Sequence, residues 1–162
     1  MTDLKSLGYV KVQTADIERW RQFAFDVLGF AKGSGPDPDA LYLRMDERTA
    51  RIIVVPGDAD RIVTVGWEVR DGAALRRVQA TLDGAGVPWK QLSLEEADAR
   101  RVDEVIAFVD PAGNDVEVFH GAVLDHSPVV TPFGARFVTG DQGLGHVVVP
   151  ATDVPGLFEF YT

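Results

Sequence analysis

His120, His126 and His146 are the three imidazoles of this chain, and it contains no cysteine. His146 closes the segment Gly143-Leu144-Gly145-His146 and leads into Val147-Val148-Val149, an apolar run with the composition of a strand. A neutral imidazole held on a rigid strand is a good ligand for a divalent transition metal. Three protein ligands on one face of such a metal leave positions open for substrates. On its own, His146 is equally a strand histidine hydrogen-bonded in a core. Val148 lies two residues further on and projects to the same strand face. His120 follows a strand-like run and His126 precedes Ser127-Pro128 in a loop, so both read as solvated or capping residues. Asp16, Asp153 and the Asp46-Glu47 pair suit caps and turns. There is no phosphate-binding loop, no Ser/His/Asp arrangement and no zinc spacing.

The surroundings of His146 repeat the N-terminus. Leu7-Gly8-Tyr9-Val10-Lys11-Val12 matches Leu144-Gly145-His146-Val147-Val148-Val149 at an offset of 137 (146 minus 9). The match continues through Asp16 with Asp153, Ile17 with Val154, Trp20 with Leu157 and Phe23 with Phe160. Self-similarity at a fixed offset marks one structural unit built twice. Tyr9 occupies the position that His146 takes in the second copy.

The elements that must position these residues follow from periodicity. Leu7 to Val12 reads as a strand. Ile17, Trp20, Phe23, Ala24 and Val27 recur at helical spacing before Gly29, which suits a helix stop. Ala40 to Met45 and Arg51 to Val55 read as short strands around Asp46-Glu47. Ile62 to Val69 is a further strand, and Ala73 to Leu82 a second helix. Leu94 to Arg100 reads as a short helix. Val105 to Val109 and Val116 to Phe119 are strands joined by Asp110-Pro111-Ala112-Gly113-Asn114, which has strong turn chemistry. The order predicts an α+β fold of paired βαβββ modules in one curved, mixed sheet. Gly121 to Thr139, with Pro128 and Pro132, is long for a loop inside a compact unit and reads as a connector.

At 162 residues the chain favours one main domain with a sizeable core. A net charge of -9 without a basic cluster argues against nucleic acid and anionic membranes as partners. The absence of cysteine excludes disulfides and thiol nucleophiles and is compatible with a reducing compartment. No signal-peptide-like or membrane-spanning apolar run is present, so a cytoplasmic protein is expected.

Several motifs together carry a family resemblance. They are Leu7-Gly8-Tyr9, Asp26-Val27-Leu28-Gly29-Phe30, Ala40-Leu41-Tyr42-Leu43-Arg44-Met45-Asp46, Asp110-Pro111-Ala112-Gly113-Asn114, Glu117-Val118-Phe119-His120-Gly121, and Arg136 to Thr139 running into Gly140-Asp141-Gln142-Gly143-Leu144-Gly145-His146. This combination resembles the type I extradiol catechol dioxygenases of the vicinal oxygen chelate superfamily, those of the 2,3-dihydroxybiphenyl 1,2-dioxygenase kind. The Asp-Pro-Xaa-Gly-Asn turn is common across the superfamily. The connector followed by Gly-Leu-Gly-His is more specific.

The resemblance implies two domains of two βαβββ modules each, the glyoxalase-like fold. It divides the chain into a non-catalytic domain over 1–120, a connector over 121–142, and the opening strand and partial helix of a catalytic domain over 143–162. The catalytic domain would hold Fe(II) through two histidines and one glutamate, with Mn left open. His146 would be the first of these ligands, and Val148 would line the O₂ and substrate pocket beside the metal. The substrates would be O₂ and a catechol from aromatic or steroid degradation, and the protein a homo-oligomer. The remaining ligands would lie beyond Thr162, so the 162 residues alone are expected to hold no iron and to be inactive. In the first module, Tyr9 stands at the histidine position and Glu117 at the glutamate position. No histidine lies on Ile62 to Val69, so Tyr9 and Glu117 are expected to form a hydrogen-bonded structural remnant. A second reading is a stand-alone, non-catalytic module of the same superfamily that binds small aromatic molecules. The last residues, with Val147 to Val149, Leu157, Phe158 and Phe160, are expected to lack a module of their own to bury them; of the two outcomes, a mobile tail or pairing with another chain, pairing is favoured because so many apolar residues favour burial.

Overall fold

The computed structural model describes residues 3–134 and 136–162. Eight strands form one sheet: β1 (Leu4–Thr14), β2 (Ala31–Lys32), β3 (Leu41–Arg44), β4 (Ile52–Pro56), β5 (Arg61–Val69), β6 (Trp89–Gln91), β7 (Val102–Val109) and β8 (Asp115–Ala122). Their spatial order is β2-β3-β4-β1-β5-β8-β7-β6. Each half repeats one plan. The opening strand pairs parallel with the fourth strand of its unit, β1 with β4 and β5 with β8, and the other two strands follow antiparallel. The opening strands β1 and β5 join antiparallel at the centre. This is the predicted pair of βαβββ modules in a mixed sheet, related by a pseudo-two-fold axis between β1 and β5.

The helices α1 (Ile17–Gln22) and α2 (Gly72–Gly84) fill matching crossover positions. Asp16 caps α1 by accepting from Arg19 N, and Asp71 caps α2 by accepting from Ala74 N. The predicted first helix starts as an α-helix and then widens: Phe23–Val27 forms a π-helical turn, and Gly29, at φ +72°, ends it. The wider turn places Ala24 in full burial against Phe30, Leu41, Leu43 and Val54. Ala74, Leu75, Val78 and Leu82 of α2 pack on Leu7, Val10, Val65, Ile106 and Val118. The opposite face of the same strands carries Tyr9, Val105 and Phe119. There it meets the short helix α3 (Leu94–Asp98), which Ser93 and Glu96 close with a reciprocal capping box.

Two strands escape sequence reading. β2 and β6 are two and three residues long and lie at the sheet edges, too short to display an alternating pattern.

The connector is fastened to the first module. Arg44, buried on β3, donates to Asp125 Oδ2 and backbone O and to Ser127 Oγ and backbone O, at 2.6–3.0 Å. Its Nε donates to Asp46 O at 2.8 Å. Phe137 stacks on Phe30 with ring centroids 5.2 Å apart.

The final segment departs from expectation. Residues 145–150 have no strand pairing, although a strand was expected there. Leu144 N donates to Leu7 O at 2.9 Å, a single bond at the head of the segment. The helix that follows, α4 (Val154–Tyr161), is present, with Asp153 as its cap. The expectation that these residues lack burial holds for Val148 and Phe158, which are exposed, and is corrected for the others. Leu144, Val147, Val149 and Phe160 pack against the α2 side of the core, because that face of the sheet extends beyond the area α2 covers.

Candidate functional site

Tyr9, Gly66 and Glu117 form one row across the three central strands. Tyr9 registers with Gly66 on β5, and Gly66 with Glu117 on β8. Strand alternation puts all three on the face opposite α2. Gly66 has no side chain, so the Tyr9 ring lies over its backbone, where any Cβ would collide with the ring. The phenol then donates a short hydrogen bond to Glu117 Oε2. Arg100, just past α3, completes the cluster from above, with Nε 2.7 Å from Oε2 and Nη2 2.6 Å from Oε1 of Glu117. Phe119 stacks on Tyr9 at 5.0 Å between centroids.

The cluster is closed to solvent: Tyr9 is 2% and Glu117 4% exposed. Burial, and next the Glu117 charge, push the Tyr9 phenol well above its ordinary range. Lys11, half-buried nearby, is held below the usual lysine range by burial and then by the Arg100 charge. A bidentate guanidinium thus supplies the positive partner that a carboxylate in this position requires. The expected Tyr9–Glu117 contact is present. Arg100 was missed, because its distance of 17 residues from Glu117 follows no helical or strand spacing.

His146 and Val148 lie elsewhere, in the segment after Gly145. Val147 and Val149 turn inward onto the core, while His146 and Val148 are exposed, Val148 at 83%. The two therefore share the outward side, as alternation required, without a strand ladder to fix them. His120 is not a free surface residue: its Nε2 lies 3.1 Å from Glu104 Oε2. His126 is exposed in the connector. Asp46 turns the chain by accepting from Arg48 N and also holds the buried Arg51 guanidinium at 2.6 and 2.8 Å. The turn reading of Asp46 was sound and its ion pair was not foreseen.

A family model described as dihydroxybiphenyl dioxygenase BphC D1 matches residues 7–57. An iron-dependent extradiol dioxygenase of Rhodococcus jostii (strain RHA1) is 48% identical over 158 residues, 98% of this chain and 53% of that protein. A biphenyl-2,3-diol 1,2-dioxygenase of Sphingomonas paucimobilis is 35% identical over 99% of this chain and 55% of its own length. A crystal structure of catechol 2,3-dioxygenase superposes with a TM-score of 0.93 at 32% identity, covering 99% of this chain and 55% of that one. Over nearly its whole length the chain is similar to extradiol dioxygenases of the vicinal oxygen chelate superfamily.

The chain spans about half the length of the curated relatives it matches. An iron centre of two histidines and a carboxylate requires three ligands on one face. Among the described residues, no group of three or more His, Asp or Glu could hold a metal ion. These residues therefore do not fit a complete iron centre. The row across the three central strands β1, β5 and β8 is filled by a tyrosine, a glycine and a glutamate, the last paired with Arg100. Among the described residues no helix is long and apolar enough to cross a membrane.

Proposed function

We infer that the chain is the N-terminal part of an Fe(II)-dependent extradiol dioxygenase. The reaction class is insertion of both atoms of O₂ with cleavage of a ring carbon–carbon bond next to a catechol diol. His146 contributes one metal ligand and Val148 part of the adjoining substrate and O₂ pocket; the other ligands come from chain outside these 162 residues. The first 120 residues serve as a non-catalytic support. The carrying observation is the placement of His146 and Val148 on the outward side of a segment that Val147 and Val149 anchor to the sheet. That arrangement presents the imidazole to whatever packs next. The substrate is a catechol of aromatic or steroid breakdown, the relatives named for biphenyl-2,3-diol and 1,2-dihydroxynaphthalene supporting the aromatic class. Homo-oligomerisation belongs to this reading and is supported by Phe23, Val27 and Leu28, which expose apolar surface within one turn. A cytoplasmic setting accords with the absence of cysteine.

The alternative of a stand-alone module for small aromatic molecules has less support. The cavity beside Tyr9, Phe119 and Arg100 offers about 10 Å³, room for one water-sized guest and not for a ring, and the larger recesses, such as that of about 500 Å³ beside Trp20 and Phe23, are open to solvent.

The test is ring cleavage by the longer protein that contains this sequence, purified without oxygen and supplied with Fe(II). One O₂ should be consumed for each ring-fission product from 2,3-dihydroxybiphenyl, dihydroxynaphthalene or a methylcatechol. Full Fe(II) loading without turnover of any catechol overturns the reading. The 162-residue chain given Fe(II) should form no product.

A further inference from the structure

Two buried guanidinium N–H groups lack a protein acceptor among the described residues: Nε of Arg48 and Nε of Arg101. Both arginines line the same small cavity, together with Arg100. It lies where the two modules and the start of the connector meet. Arg48 comes from the β3–β4 turn, Arg100 and Arg101 from the end of α3, and Val123 from the connector.

A buried donor without an acceptor is destabilising, the more so when it is charged. What could satisfy these two is constrained by the wall. Three arginines line the cavity and no Asp or Glu does. Their carboxylate partners Glu68, Asp98 and Glu117 engage the guanidiniums at other nitrogens and do not line it. Three of the lining carbonyls are already engaged as well. Gly8 O accepts from Arg51, Val123 O from both Thr49 N and Oγ1, and Arg101 O from Val123 N. The wall offers two unmatched donors, and these three of its acceptors are in use. A guest that only accepts hydrogen bonds suits this better than water, which must also place two donors. At about 10 Å³ the guest is limited to a single centre.

Arg101 adds a second observation. It is the one non-glycine residue with positive φ among those described, at +58°, at the end of α3 where glycine is the least strained choice. Strain kept by a residue whose side chain reaches an unmatched donor site marks that side chain as used.

We propose that the Arg48–Arg101 cavity binds one monatomic anion, chloride under ordinary conditions, and that this anion ties the two modules to the connector. The site is separate from the proposed iron ligand His146 and independent of catechol cleavage.

The test uses bromide as a crystallographic probe and chloride in solution. Crystals grown in sodium bromide should show an anomalous peak within hydrogen-bond distance of both Nε atoms. In solution, replacing sodium gluconate by sodium chloride at constant ionic strength should raise the unfolding midpoint by several degrees, since a ligand of the native state alone stabilises it. Arg101→Asn keeps a residue that tolerates the left-handed backbone and removes the donor, so it should abolish the chloride response. An unfolding midpoint identical in the two salts overturns the proposal, whether the cavity then holds water or takes up bromide only at crystal concentration.

Discussion

Tyr9 reaches across the bare backbone of Gly66 to hydrogen-bond Glu117, joining β1 and β8 over the strand that separates them. The contact stands at the centre of the pseudo-two-fold sheet, and Arg100 is its counter-charge. The three side chains do not contribute equally. Glu117→Gln leaves the Arg100 guanidinium largely buried without its charge partner, which should cost about 3–5 kcal/mol. Tyr9→Phe removes one donor while the ion pair persists and should cost about 1 kcal/mol. Chemical denaturation of both variants checks the ranking. Equal losses would mean that the phenol, not the ion pair, organises the cluster.

All three tyrosines should resist ionisation while the protein is folded. Burial is the leading cause at Tyr9, Tyr42 and Tyr161, reinforced at Tyr9 by the Glu117 charge and at Tyr161 by that of Asp110. The sign follows directly. Each folded value is raised above the unfolded value of about 10, so the folded state retains protons that the unfolded state releases. The resulting stability is present below about pH 10 and declines as pH rises beyond it. Ultraviolet titration should show tyrosinate appearing together with unfolding. A phenolate signal at about pH 10 with native circular dichroism would contradict this.

Arg44 anchors the connector through Asp125 and Ser127. Arg44→Met should free residues 124–134 and cost about 1.5–3 kcal/mol, the range for hydrogen bonds to a charged group. Arg44→Lys should not restore them, because an ammonium cannot match a fork that meets four acceptors. Limited trypsin digestion should cut faster at Arg136 in both variants. Unchanged digestion would show that Phe137 stacking on Phe30 is sufficient to hold the segment.

The modular plan was legible because it rests on periodicity: alternating runs for β1, β5 and β8, helical spacing in α2, and turn chemistry at Asp110 to Asn114. That last turn closes as read, with Asp110 Oδ1 accepting from Ala112 N and Asn114 N. The Tyr9–Glu117 contact was legible through the internal repeat, which singled out Tyr9, together with the family resemblance, which singled out Glu117. Its partner Arg100 was hidden, as were the Arg51–Asp46 pair and the Arg44 anchor. These are long polar side chains whose partners depend on how sheet edges and loops close in space. The π-helical turn at Phe23–Val27 leaves the same apolar spacing as an α-helix over so short a span. The missing ladder at 145–150 has a different reason: strand composition makes a strand only where a neighbour offers paired groups.

In the longer protein, His146→Ala should lower bound iron and ring cleavage by at least tenfold, whereas His126→Ala should leave both near wild type. His146 follows Gly145 on the outward side of an anchored segment, while His126 is an exposed connector residue beside the Asp125–Arg44 pair. Iron content and initial rates decide between them. Equal effects would remove His146 from the proposed ligand set.

The final segment provides a test inside the present chain. Phe160 sits 6.0 Å from Phe108 between ring centroids, and Tyr161 donates to Asp110 Oδ2 at 3.2 Å. Asn114 Nδ2 also donates to Pro150 O at 3.2 Å. The turn that closes β7 and β8 is therefore also the dock for α4. Phe160 is only partly buried, so Phe160→Ala should cost about 1–2 kcal/mol, less than the 3–5 of a fully buried phenylalanine. Tyr161→Phe should cost about 1 kcal/mol through its hydrogen bond. If α4 is docked as described, amide exchange in residues 154–161 should accelerate in both variants while β1 and β5 stay protected. Fast exchange of α4 already in the unmodified protein would show that the dock does not hold in solution. The exposed Val148 and Phe158 would then dominate this surface, and association between chains, read by light scattering against a chain ending at Gly121, would be the expected result.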